Sequence, residues 1–200
     1  MKRLIITTLG VFFVTACQMS PDQSATIDYK GLSAKPGLVA FGPLAGVDGK
    51  QYLLEQDALL HSRLEGKGIE TSIQEPTLTL NIPGNISFSP NSASINWNLH
   101  SILDEISPVL KEYKYTSILI LGHSDSKGNF EVNQRLSEQR GKAIHDYFIH
   151  SGVSSERLSY RGVAGNDPLI KDAETTLERA LNRRITLQIT INKPAAAVEK

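Results

Sequence analysis

Between residues 52 and 191 the apolar positions recur with two rhythms, one near 3.6 residues and one of two. Leu99, Ile102, Leu103, Ile106, Val109, Leu110 and Tyr113 follow the helical rule, and Pro108 inside that run is expected to kink or split the helix. Tyr52–Glu65 contains no glycine or proline and runs into Gly66 and Gly68, which predicts a helix with a C-terminal stop. Glu131–His150 predicts a second long helix, and Thr175–Leu181 a short one. The period of two appears in Thr77–Ile82 and in Arg184–Ile191, where Ile185, Leu187, Ile189 and Ile191 alternate with Thr186, Gln188 and Thr190. Ser117–Leu121 reads as a buried strand, and Ile86–Phe88 and Arg157–Tyr160 as short extended pieces. The predicted order is β-β-α-β-α-β-α-β over residues 77–191. It implies an α+β fold, a sheet with helices packed on it. Four or five short strands fall below the roughly eight that a membrane barrel needs.

The N-terminus breaks both rhythms. Met1-Lys2-Arg3 is followed by LIITTLGVFFVTA, thirteen apolar or small residues. A bilayer span needs about 20, so this length suits the apolar region of a secretory signal. Cys17 is the only cysteine, so it has no disulfide partner within the chain. With Val14-Thr15-Ala16 before it, it resembles the bacterial lipobox, in which the cysteine is lipidated and becomes the new N-terminus. Gln18 stands where an aspartate would favour inner-membrane retention in such lipoproteins, so the outer membrane is expected, with the domain facing the periplasm. Residues 18–50 are rich in glycine and proline and read as a linker. The expected organisation is a signal at 1–16, then a lipidated N-terminus with linker and short helix at 17–75. A folded domain at 76–194 and a tail at 195–200 complete it.

Composition removes one class of function. Lys+Arg and Asp+Glu both number 21, so the formal net charge is zero, and nucleic-acid binding lacks its usual basic surplus.

Candidate chemistry concentrates around Gly122-His123-Ser124-Asp125 and the helix after it. On a wheel of about 100° per residue, Val132, Leu136, Ala143, Ile144, Tyr147 and Phe148 form an apolar stripe. Arg140 lands inside that stripe, with Asn133 beside it. Taking a charge out of water costs several kcal/mol unless it is paired, so an anion must meet Arg140. Asp125 is the nearest candidate in the chain. Either the two form a structural ion pair, or both face a cleft that accepts a ligand carrying both signs. Catalysis is disfavoured. His123, Ser124 and Asp125 are adjacent on an extended segment, so their side chains alternate and cannot form a relay among themselves. One histidine is too few ligands for a metal site, no phosphate-loop pattern is present, and no cofactor is called for.

The block from Gly122 to Pro168 resembles the OmpA-like peptidoglycan-binding domain. Gly122, Ser124, Asp125 and Gly128 fit its first motif, and Asn133, Leu136, Ser137 and Arg140 its second. Gly152, Val153, Arg157 and Leu158 fit the third, and Asn182-Arg183-Arg184 the fourth. The resemblance covers about residues 76–193 and implies a β-α-β-α-β mixed sheet with helices on one face. With the lipobox, the chain resembles outer-membrane lipoproteins related to peptidoglycan-associated lipoprotein. In that family the matching aspartate and arginine hold the meso-diaminopimelate of the stem peptide, which assigns Asp125 to its ammonium and Arg140 to its carboxylate. Asn133 is expected to add hydrogen bonds, and Phe88 and the Ser124 backbone to wall the pocket. Ser89 stands where many members carry aspartate. The implied function is a non-catalytic tether between a lipid-anchored membrane protein and peptidoglycan. The alternative is a periplasmic protein-interaction or assembly lipoprotein in which wall binding is secondary.

Overall fold

The structure, a computed structural model, describes residues 48–192 of the 200. The expected signal segment, Cys17, most of the linker and the C-terminal tail lie outside the described residues. Helix α1 (Gly49–Leu64) leads into a hairpin of β1 (Glu70–Gln74) and β2 (Thr77–Pro83). Helix α2 (Trp97–Glu112), strand β3 (Thr116–His123), helix α3 (Phe130–His150) and strand β4 (Leu158–Ala164) follow, and helix α4 (Thr176–Asn182) precedes β5 (Arg184–Ile191). The five strands form one sheet in the order β1-β2-β5-β3-β4. Only β3 and β4 are parallel, with α3 as their crossover; the other pairs are antiparallel.

The alternation of the strands explains the layering. Leu78, Leu80 and Ile82 of β2, Ile118 and Ile120 of β3, and Ile185, Leu187 and Ile189 of β5 are all buried on one face. Helices α1, α2 and α3 cover that face with Leu53, Leu60, Leu99, Leu103, Ile106, Ile144 and Phe148. Each such side chain contributes roughly 1.5–3 kcal/mol by leaving water. The opposite face carries Thr77, Thr79 and Asn81 in register with Thr190, Gln188 and Thr186. There the Thr77 and Thr190 hydroxyls share a hydrogen bond of 2.9 Å, and the Thr186 hydroxyl donates to Asn81 Oδ1 at 2.8 Å. A polar ladder of this kind needs no cover.

Four local expectations change. Pro108 neither splits nor ends α2, which runs unbroken to Glu112. Its side is exposed, so the Asp104 carbonyl it leaves without a donor faces water. Residues 86–88 are not a strand: Gly84–Ile86 is a single 3₁₀ turn, and Phe88 forms only an isolated bridge to Ile95. Strand β1 has one apolar residue, Ile73, and belongs to the sheet because its backbone pairs with β2. Helix α1 packs into the same core through Leu53, Leu60 and Leu64. Both α1 and β1, placed ahead of the domain by the sequence reading, therefore share its sheet and core. No helix among the described residues is long and apolar enough to cross a membrane.

Candidate functional site

Helix α3 lies unusually close to the end of β3 because glycine and small residues line the contact. A Cβ on Gly122 would fall 2.0 Å from the Ser137 carbonyl oxygen, and one on Gly162 would fall 2.5 Å from the Glu138 amide nitrogen. The buried side of α3 is Ser137, Arg140, Gly141, Ile144 and Phe148. Val132, expected in the apolar stripe, is instead exposed. The wheel tracked apolar side chains, whereas the close approach selects small ones. The Ser137 hydroxyl sits at this seam, donating to the Gln134 carbonyl and accepting from the Ala164 amide.

This packing aims Arg140 at the loop between the 3₁₀ turn and α2. Its Nε donates to the Ser92 carbonyl at 2.9 Å and its Nη2 to the Ser89 carbonyl at 3.4 Å. The guanidinium carbon lies 5.0 Å from the centroid of the Phe88 ring, within cation–π range. Phe88 is thus a floor beneath the cation. No carboxylate among the described residues pairs with Arg140, although the residue is only 8% exposed. Burial, and then the charge of Arg183, pull its pKa below the ordinary guanidinium value.

Asp125 is spoken for by a different partner. Its Oδ2 accepts from Arg183 Nη1 at 2.6 Å, and its Oδ1 from the Lys127 amide at 3.1 Å. The structural ion pair left open by the sequence therefore forms, but with Arg183 in place of Arg140. The result is a cluster of two guanidiniums and one carboxylate, in which Arg140 donates only to neutral carbonyls.

A model of the OmpA family matches residues 87–183, which span this cluster. The chain carries an OmpA-like domain. It is 30% identical over 139 residues to the probable lipoprotein YiaD of Escherichia coli, covering 70% of this chain and 63% of that protein. It is 28% identical over 127 residues to the peptidoglycan-associated lipoprotein of Mesorhizobium japonicum, covering 64% and 76%. The cell wall anchor of the type VI secretion system from Pseudomonas aeruginosa shares the fold, with a TM-score of 0.59 at 22% identity over 66% of this chain and 96% of that one. The chain thus spans less than two thirds of YiaD.

The Asn-Arg-Arg motif of the OmpA-like domain turns out to have three separate tasks. Buried Asn182 pins the preceding loop, accepting from the Ile170 amide at 2.9 Å and donating to its carbonyl at 2.8 Å. Arg183 meets Asp125. Arg184 donates through both Nη atoms to the Asp167 carbonyl, each at 3.1 Å. Sequence reasoning matched this motif but assigned Arg183 no part in the site. The signal available was the arginine pair of the fourth motif itself; the partner, 58 residues away, was not visible.

The remaining predicted residues are present but turned inward. Asn133 Nδ2 donates to the Lys127 carbonyl at 2.8 Å, and it shapes the Asp125 loop. The Ser124 amide donates to the Ala164 carbonyl at 2.9 Å and its hydroxyl to the Asp125 carbonyl at 2.9 Å, so Ser124 anchors the loop to β4. His123 is buried with neither ring nitrogen hydrogen-bonded. Burial first, and then Arg184, push its pKa down to about 4, against an opposing pull from Asp167. Its Nδ1 is 3.9 Å from Asp167 Oδ2, so His123, Ser124 and Asp125 look to three different neighbours. No group of three His, Cys, Asp or Glu side chains comes together among the described residues.

Proposed function

We propose that this domain binds peptidoglycan without turning it over, by gripping the diaminopimelate of a stem peptide. The observation that carries this reading is Arg140: a buried cation with a collar of two loop carbonyls and no carboxylate of its own. A carboxylate from outside supplies what the fold withholds, and a guanidinium fork suits it with two parallel bonds. Diaminopimelate carries an ammonium on the same carbon as that carboxylate. Asp125 lies beside the cluster with two of its roughly four acceptor sites taken, which leaves capacity for the ammonium. The names of the Mesorhizobium lipoprotein and the Pseudomonas cell wall anchor support the same ligand class.

The membrane end of the proposed tether is Cys17, lipidated after removal of residues 1–16, with the outer membrane as its site. Lipid attachment of this kind gives a mature chain of 184 residues, 200 less 16. Its mass identifies the product directly, and Cys17→Ser is expected to release the protein from membranes. Wall binding is tested by cosedimentation with purified sacculi. The wild type is expected to pellet without releasing muropeptides, and Arg140→Ala to stay in the supernatant. Equal pelleting of the two rejects the proposed site, and release of muropeptides rejects the non-catalytic reading.

A further inference from the structure

The loop that collars Arg140 has a second face. Its tip supplies the Ser89 and Ser92 carbonyls to the guanidinium. Its stem is closed by the Phe88–Ile95 bridge and by the Asn96 amide donating to the Ser87 carbonyl at 3.2 Å. Immediately after the stem comes Trp97, the only tryptophan in the chain, and it is 83% exposed. Beside it lies a cleft of about 250 Å³ lined by Lys67, Ile86, Trp97, Asn98, Ser101 and Ile102.

Leaving an indole this far in water forfeits the largest apolar burial any side chain offers. No aromatic contact among the described residues offsets the loss, and the fold buries neighbouring Leu99 and Ile102 instead. The cleft's chemistry is specific. It has one flat aromatic face, a hydroxyl, an amide, one cation and no acid. Its volume lies below the roughly 300–1,000 Å³ of drug-sized sites, a size suited to a single sugar ring. A membrane-docking face would need a broad apolar stripe, and here the tryptophan's neighbours Asn98 and Ser101 are polar.

We infer that the Trp97 cleft is a subsite for the N-acetylated glycan strand. The apolar face of an amino-sugar ring lies on the indole. Asn98 and Ser101 bond its hydroxyl and acetamido groups, and Lys67 meets the lactyl carboxylate wherever the strand lacks a peptide. This inference rests on the peptidoglycan reading above and extends it from peptide to sugar. One loop then organises both subsites, the peptide at its tip and the glycan at its stem. Diaminopimelate sits only a few residues from the sugar that bears the stem, a reach of roughly 10 Å for three extended residues.

Because Trp97 is the sole tryptophan, its fluorescence reports on this cleft alone. The experiment titrates the full chain with chitotetraose, with amidase-treated glycan strands free of peptide, with free diaminopimelate, and with vesicles containing phosphatidylglycerol. Both glycans are expected to shift the emission to the blue and to saturate. Trp97→Ala, followed by calorimetry, is expected to weaken glycan binding on the order of tenfold, the scale of removing one central aromatic anchor. It should leave diaminopimelate affinity unchanged, and Trp97→Tyr should recover most of the loss. The exposure of Trp97 keeps these variants folded. Glycan binding equal in Trp97→Ala and wild type overturns the inference. So does diaminopimelate binding with no glycan response, in which case the peptide site stands without it. A response to vesicles and not to glycan also overturns it. Glycan binding without diaminopimelate binding upholds the cleft and defeats the peptide site.

Discussion

Two arginines are largely withdrawn from water in this molecule, Arg140 buried and Arg157 half-buried, and they differ in what meets them. Arg157 lies at the corner where α2 ends. It donates to the Leu110 carbonyl at 2.7 Å, to the Tyr113 carbonyl at 2.8 Å, and to Thr116 through its carbonyl at 2.7 Å and its hydroxyl at 3.0 Å. The Leu110 and Tyr113 carbonyls lie at the end of α2, where carbonyls are left orphaned, and the positive charge also suits that end of the helix dipole. Arg140 donates only to Ser89 and Ser92, and Arg183 stands near it as a second cation. Arg157 meets four acceptors of the fold, while Arg140 meets two carbonyls and no carboxylate among the described residues. Burial and residue type do not separate a structural arginine from a binding one; the state of the donors does.

The largest expected effect falls on the Arg157 side. Arg157→Ala removes a donor from the Leu110, Tyr113 and Thr116 carbonyls, of which Tyr113 keeps the Thr116 hydroxyl, and each group left unsatisfied costs about 1–3 kcal/mol. Chemical denaturation should show a loss on the order of 3–5 kcal/mol. The folded fraction should bind diaminopimelate as the wild type does. A loss under about 1 kcal/mol would erase the distinction between the two corners.

Next comes His123, buried with neither ring nitrogen hydrogen-bonded. Its pKa in the fold is about 4, below the 6.5 of the unfolded chain. Between those values the unfolded state binds the proton more readily, so stability falls as pH falls from 6.5 toward 4. The size is a few kcal/mol at most. His123→Phe should flatten that part of the stability–pH curve, measured by thermal melts at pH 4 to 7. An unchanged slope would place the acid sensitivity elsewhere.

Arg140→Ala should reverse the Arg157 pattern. The Ser89 carbonyl is on an exposed loop and finds water once the guanidinium is gone. A change in stability below about 1 kcal/mol is expected. Arg140→Lys is the smallest perturbation. It keeps the charge and loses the planar fork, and should bind diaminopimelate with an affinity between those of wild type and the alanine variant. Affinity equal to wild type would mean that charge alone is read.

Much of this contrast was legible in the chain. The alternation of Arg184–Ile191 and the stripe of Leu99 to Tyr113 marked the sheet and its cover, since both are dense apolar patterns. The motif that holds Asp125 and Arg140 marked the site. Three features were illegible for physical reasons. Strand β1 is an edge strand, held by backbone pairing that side-chain periodicity does not encode. The α3 contact depends on Gly122 and Gly162 lying against Ser137 and Glu138, a close approach that a hydrophobic wheel ignores. The pairing of Asp125 with Arg183 depends on β5 lying between β2 and β3, a property of topology.

The central claim is that Arg140, which has no carboxylate partner among the described residues, reads a carboxylate of the proposed ligand. Calorimetric titration of the full chain with diaminopimelate and with lysine tests it, in wild type and in Arg140→Ala. Lysine keeps the terminal ammonium and lacks the adjacent carboxylate, so it leaves the buried cation unpaired at a cost of about 1–3 kcal/mol. Wild type should therefore prefer diaminopimelate by roughly tenfold or more, and Arg140→Ala should bind the two ligands equally. Equal affinity of wild type for both, or undiminished diaminopimelate binding by Arg140→Ala, would contradict the claim.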